Sequence, residues 1–138
     1  MGKTGKVKRG SMSKNIRISL NEEMVIKGEL FDTPGGRALM DKLPFKANLD
    51  KWGEEMFGPL SVSLQEFQDD SMEVMEVGDL AYHQETGWFC MFWGPTPASK
   101  GDEIRAAFPV HQVGKVDADR DKLNAISGSV TALVEEDQ

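Results

Sequence analysis

Apolar and polar residues alternate in short runs along most of this chain, the period of strands that bury one face. Asn15-Ile16-Arg17-Ile18-Ser19-Leu20 is the first such run; Asn21-Glu22-Glu23 predicts a turn, and Met24–Leu30 the returning arm of a hairpin. A helix of about two to three turns is predicted next, because Thr33 can cap it, Pro34 suits its first position and Pro44 stops it. Ala38, Leu39 and Leu43 fall on its buried face. Residues 45–53 read as a connection. Glu54–Phe57 then leads through a Gly58-Pro59 turn into an alternating strand over residues 60–64, and Gln65–Met72 is polar enough for a surface loop. Val74–Val77 leads into a strand at Leu80-Ala81-Tyr82, His83–Gly87 turns, and Trp88–Trp93 returns. After a Pro/Gly loop over residues 94–101, Ile104–Ala107 and Val110–Val116 predict two more strands. Asp119 can cap a second helix carrying Leu123 and Ile126, Gly128 ends it, and Ser129–Val134 closes the chain as a β-branched strand.

Trp88-Phe89-Cys90-Met91-Phe92-Trp93 departs from this alternation, being apolar throughout. In a strand Trp88, Cys90 and Phe92 share one face, and Phe89, Met91 and Trp93 share the other. Such a strand lies between two packed layers or forms a barrel wall with an apolar groove outside. About eight short strands, two short helices and short connections favour an all-β architecture: a closed antiparallel barrel with one or two capping helices.

With 138 residues, 39% of them hydrophobic and 28% charged, the chain has the composition of a single globular domain. Its longest apolar run is far short of the ~20 residues of a membrane span. The N-terminus is basic and Gly-rich without an apolar h-region, so no signal peptide is expected and the cytoplasm is the default location. Cys90 is the single cysteine, which excludes an intrachain disulfide. Residues 1–12 hold four of the 16 basic residues and none of the 23 acidic ones, leaving 12 basic against 23 acidic, a net of −11, on the remainder. A body that acidic repels phosphate backbones and argues against nucleic-acid partners. Gly10-Ser11-Met12 reads as a cloning junction with a native start at Met12. Residues 1–13 are expected to be a disordered tail, with the domain at 14–136.

Three segments carry a resemblance: Gly78-Asp79-Leu80-Ala81-Tyr82, then Phe92-Trp93-Gly94-Pro95-Thr96-Pro97-Ala98-Ser99-Lys100-Gly101-Asp102-Glu103-Ile104, then Val113-Gly114-Lys115-Val116. Together with the Thr33-Pro34 helix start and Trp52-Gly53-Glu54-Glu55, they resemble the small prokaryotic cyclophilin-like family over residues 14–136. The family consists of compact relatives of cyclophilins with no established activity. The resemblance implies an eight-stranded barrel plugged by helices. Cyclophilins themselves isomerise peptidyl-proline bonds by holding the ring in an apolar pocket and stabilising the twisted amide with an arginine. That arginine is expected on the strand after the first helix, and the stretch matched to it, Glu54–Pro59, has two acids and no arginine. The Gln-Gly-Gly-Asp segment is absent, and the loop supplying a tryptophan and a histidine is shortened to Ala106–Val110. Met91, Phe92 and Trp93 are the matching groove elements.

The candidate site follows from these residues. Trp52, Phe57, Tyr82, Phe92 and Trp93 form either an aromatic groove or part of the core. Glu55 shares strand parity with Phe57 and would point into such a groove, whereas Glu54 would not. Arg105 either pairs a ligand carboxylate or is held by Asp102 and Glu103. Thr96, in the Gly-Pro-Thr-Pro segment, joins the set. No catalytic residue, cofactor or metal is nominated: His83 and His111 have no further ligand at metal spacing, and no phosphate-binding loop is present. The expected function is a non-catalytic module binding a peptide or small molecule, as monomer or homodimer. The alternative is an atypical prolyl isomerase in which Arg105 or a backbone amide replaces the missing arginine.

Overall fold

The computed structural model describes residues 13–137, so all but the last residue of the tail expected over residues 1–13 lies outside the described residues. Its strands are β1 (Lys14–Leu20), β2 (Met24–Leu30), β3 (Phe45–Lys51), β4 (Glu55–Pro59), β5 (Met72–Met75), β6 (Asp79–His83), β7 (Trp88–Phe92), β8 (Ile104–Val116) and β9 (Val130–Glu136), with helices α1 (Pro34–Met40) and α2 (Arg120–Asn124). Eight strands run in the order β2-β1-β9-β3-β4-β7-β6-β8, every neighbouring pair antiparallel, and a β2–β8 pairing closes the ring. This is the expected closed barrel. β5 hangs on the outer edge of β8.

Closure depends on two glycines. At Gly28 an added Cβ would run into the Lys115 carbonyl, and at Gly114 into that of Glu29, so the seam closes with Gly28 opposite Val116 and Gly114 opposite Leu30. Alternation sets the rest. Ile16, Ile18, Leu20, Leu49, Met56, Leu80, Phe89, Met91 and Val134 point inward and are fully or almost fully buried. Thr33 caps α1 by accepting from the Gly36 N–H at 3.0 Å, and Asp119 caps α2 by accepting from Lys122 at 3.1 Å. Leu39 and Leu123, one from each helix, are buried in the barrel interior.

Three elements differ from the reading of the sequence. Residues 45–51 are a strand rather than a connection; Phe45, Ala47 and Leu49 alternate with exposed polar residues and pair with β9. Residues 60–64 lack a strand partner beyond an isolated bridge between Ala47 and Leu60, because Glu55–Pro59 takes the place beside β7. The two strands expected over 104–116 are one, long enough to pair with β5, β6 and β2 in turn.

A second apolar layer lies outside the ring. Met75, Ala81, Cys90, Phe92, Ile104, Ala106 and Val110 form a separate buried cluster, with Phe57 and Phe108 packed against it. β7 is therefore apolar on both faces because it separates two cores. This is the first of the two alternatives read from the run 88–93, a strand between two packed layers.

Candidate functional site

The outer cluster opens into a cavity of about 190 Å³ over β4, β7 and β8. Its lining is Trp52, Phe57, Trp88 and Phe108, three small or branched apolar residues of β8, Cys90, and a single ionisable carboxyl, Glu55. Register explains the assembly. Glu55 lies opposite Phe92, Phe57 opposite Cys90 and Pro59 opposite Trp88, so alternate residues of both strands project outward together. The rings follow one another around the wall. Trp52 meets Phe57 edge-on at 6.3 Å, Phe57 and Trp88 are tilted at 4.9 Å, and Trp88 and Phe108 at 6.2 Å. Phe108 in turn stacks on His83 at 3.9 Å.

Glu55 is only 4% exposed, and its Oε1 has no hydrogen-bond partner among the described residues. Burial pushes its pKa up to about 8, relieved only by the Cys90 thiol, which donates to the carboxyl. Burial and the Glu55 carboxyl together push the Cys90 thiol well above its usual range. The carboxyl is therefore neutral at pH 7, an acid held among aromatic rings with one oxygen unused.

The other candidates are placed elsewhere. Trp93 is wholly buried in the barrel interior, and its indole N–H donates to Asn124 Oδ1 at 2.9 Å, so it belongs to the core rather than a groove. Phe92 has outward parity but is fully buried beneath the outer cluster. Thr96 braces its own loop: its hydroxyl donates to the Arg105 carbonyl at 2.5 Å and accepts from the Ala98 N–H at 3.1 Å. Arg105 is held by Glu103 at 2.6 Å and Glu73 at 2.8 Å, which matches the alternative of pairing with a neighbouring acid. Glu54 is likewise structural. It bridges Arg120 of α2 at 2.5 Å and accepts from Asn124 Nδ2 at 2.7 Å, tying the turn before β4 to the helix that holds Trp93.

Tyr82 contributes to a different feature, an open polar groove of about 590 Å³ beside His83, Gln84, Glu85 and His111. Gln84 fixes one wall by exchanging hydrogen bonds with the Phe67 backbone. Burial raises the Tyr82 pKa and lowers that of His83.

The strand expected to follow the first helix is β3, not the Glu54–Pro59 stretch, and neither β3 nor β4 contains an arginine. β3 offers Lys51 instead, but its ammonium donates to the Asn124 and Ile126 carbonyls at the end of α2. Sequence reasoning missed Trp88, Cys90 and Phe108 as pocket residues. Trp88 and Cys90 were accessible through parity, since they share the face of β7 that pairs with Glu55 and Phe57. Phe108 had no such signal.

A closed eight-stranded antiparallel barrel, capped by short helices and bearing an apolar pocket on its outer wall, defines the class. The chain belongs to the cyclophilin-like family, whose model matches residues 14–135. It is similar to the solution structure of the hypothetical protein AF2241 from Archaeoglobus fulgidus, with a TM-score of 0.72 and 28% identity over 99% of this chain and 100% of that one. No curated protein matches.

Proposed function

We propose that this domain is a binding module whose ligand, a small molecule or the side chain of a peptide, enters the aromatic pocket beside Glu55 without being chemically altered. The observation that carries the reading is the unpartnered, buried Glu55 oxygen lining an otherwise apolar cavity. A buried polar atom without a partner costs stability that a ligand group restores on binding. The aromatic walls supply contact area with few rotatable bonds to freeze. The absence of any basic side chain among the lining residues favours binding over proline isomerisation, which in cyclophilins uses a cation against the twisted amide.

The three tryptophans make the test direct. Trp52 and Trp88 line the pocket, whereas Trp93 is buried and serves as an internal control. In a titration with apolar fragments and proline-containing peptides, followed by indole N–H resonances, Trp52 and Trp88 should shift and Trp93 should not. Ala107→Phe, at an exposed position on the rim, should block the shifts while leaving the fold intact. A panel that leaves Trp52 and Trp88 unmoved overturns the reading. In a protease-coupled assay, proline isomerisation should stay within about twofold of background; faster turnover favours the isomerase alternative.

A further inference from the structure

Taking the pocket as a binding site, we infer that it is built for the ammonium group of an organic amine, with Glu55 as counter-ion and Trp52, Phe57, Trp88 and Phe108 as the surrounding cage. The inference deepens the functional reading above and rests on it.

The groups around Glu55 leave few choices. Beside the Cys90 thiol, which donates to it, Glu55 shares the pocket with Trp88 from β7, with Ala106, Ala107, Phe108 and Val110 from β8, and with Phe57 and Trp52 from its own strand and the preceding turn. None of these can supply a positive charge. Arg105, the nearest arginine along β8, is committed to Glu73 and Glu103, and Lys51 to the end of α2. An anionic ligand would find no cation among the lining residues and would hold the carboxyl in its neutral form, against a body of net charge −11, so the pocket disfavours it. A neutral ligand would use the rings but gain nothing from the carboxyl as an ion. An ammonium uses both. Its N–H donates to the idle Oε1, and aromatic faces attract a cation most strongly where water is excluded. A cavity of about 190 Å³, the volume of roughly six waters, holds a compact amine head and leaves a longer chain outside.

Binding of such a cation requires Glu55 to ionise. The free carboxyl, raised to about 8, holds its proton at pH 7, and the ammonium replaces that proton as the partner of the carboxylate. The proton leaves to solvent, so no charge is left uncompensated. Affinity for an ammonium therefore rises with pH, by about tenfold per unit below pH 8, while the amine itself stays charged. A neutral ligand that accepts a hydrogen bond from the protonated acid shows the opposite sign.

The test compares benzylamine, cationic between pH 6 and 8, with benzyl alcohol, its neutral counterpart of the same shape. Both are titrated into the full chain by calorimetry and by indole resonances. The expected result is that benzylamine binds more tightly at pH 8 than at pH 6 by more than about tenfold, while benzyl alcohol does not. Calorimetry at pH 7 in buffers of different ionisation enthalpy should show close to one proton released per benzylamine bound. Glu55→Gln should abolish the preference for the amine and retain the alcohol. If benzyl alcohol moves Trp52 and Trp88 and benzylamine binds no better at any pH, the amine assignment fails and the pocket reading stands. If neither moves them, both fail. The proton count in the unaltered protein decides the matter even where the Gln variant does not fold.

Discussion

Replacing Glu55 by Gln should make the protein's stability less sensitive to pH, by an amount that can be worked out in advance. The Glu55 carboxyl has its ordinary pKa near 4.5 in the unfolded chain and about 8 in the folded one, because burial disfavours the charged form. Between these values the folded state holds a proton that the unfolded state has released. Stability then falls as pH rises, with full stability below 4.5 and the whole loss incurred above 8. At about 1.4 kcal/mol per pH unit, the interval amounts to roughly 5 kcal/mol, of which about 3 is already lost at pH 7. Gln keeps the shape and cannot ionise, so it removes this term.

The assay is urea denaturation of both proteins at pH 5, 6, 7 and 8, comparing free energies at each pH. Other titrating groups, including His83, whose pKa burial lowers, are common to both proteins and cancel in the difference. The stability of Glu55→Gln relative to the parent should rise steadily over this range, by about 1.4 kcal/mol per unit at its steepest. A difference constant within about 0.5 kcal/mol from pH 5 to 8 refutes the reasoning. It would mean that the carboxyl is solvated when ionised, and the argument for a poised acid in the pocket would go with it.

Other substitutions separate structure from site. Trp93→Ala should cost about 3–5 kcal/mol by chemical denaturation, as for a fully buried aromatic, while Trp52→Ala costs far less. Asn124→Ala strands the Trp93 indole N–H and should cost about 1–3 kcal/mol. Arg120→Ala, at the exposed end of the Glu54 bridge, should leave stability nearly unchanged, and thermal melts of the two variants side by side check the contrast. Gly114→Ala should destabilise by at least about 1–3 kcal/mol, since the added Cβ meets backbone at the seam that closes the barrel.

Much of the barrel was legible because a strand with one buried face announces itself by alternation, as in Asn15–Leu20 and Ser129–Val134. β3 carried the same signal in Phe45-Lys46-Ala47-Asn48-Leu49 but was obscured by the glycine and prolines around it. The site was harder, because a pocket is a relation between strands and parity describes each strand alone. Glu55 and Phe57 were found on one face of β4, but deciding which face of β7 they join requires the register that sets Phe57 opposite Cys90. Without it, Trp93 and Trp88 are equally plausible aromatics on opposite faces of one strand. Phe108 lies beyond such reasoning, since the sequence leaves it between two expected strands, and only the continuous β8 sets it beside Ala106 and Val110 on the outer wall.

The two apolar layers of β7 treat their polar atoms differently, and that difference supports the proposed site. In the inner core the polar tip of Trp93 is matched to Asn124, which is matched in turn to Glu54 and through it to Arg120. In the outer layer a carboxyl of similar burial is left with one oxygen unpaired. The Cys90 thiol, its one partner, is too weak a donor to offset burial. Replacing Glu55 with an apolar residue would remove a cost of about 3 kcal/mol at pH 7. Cores satisfy or exclude such groups, and the departures from that rule concentrate where a ligand completes the set. The outer pocket is such a departure within a barrel whose interior obeys the rule.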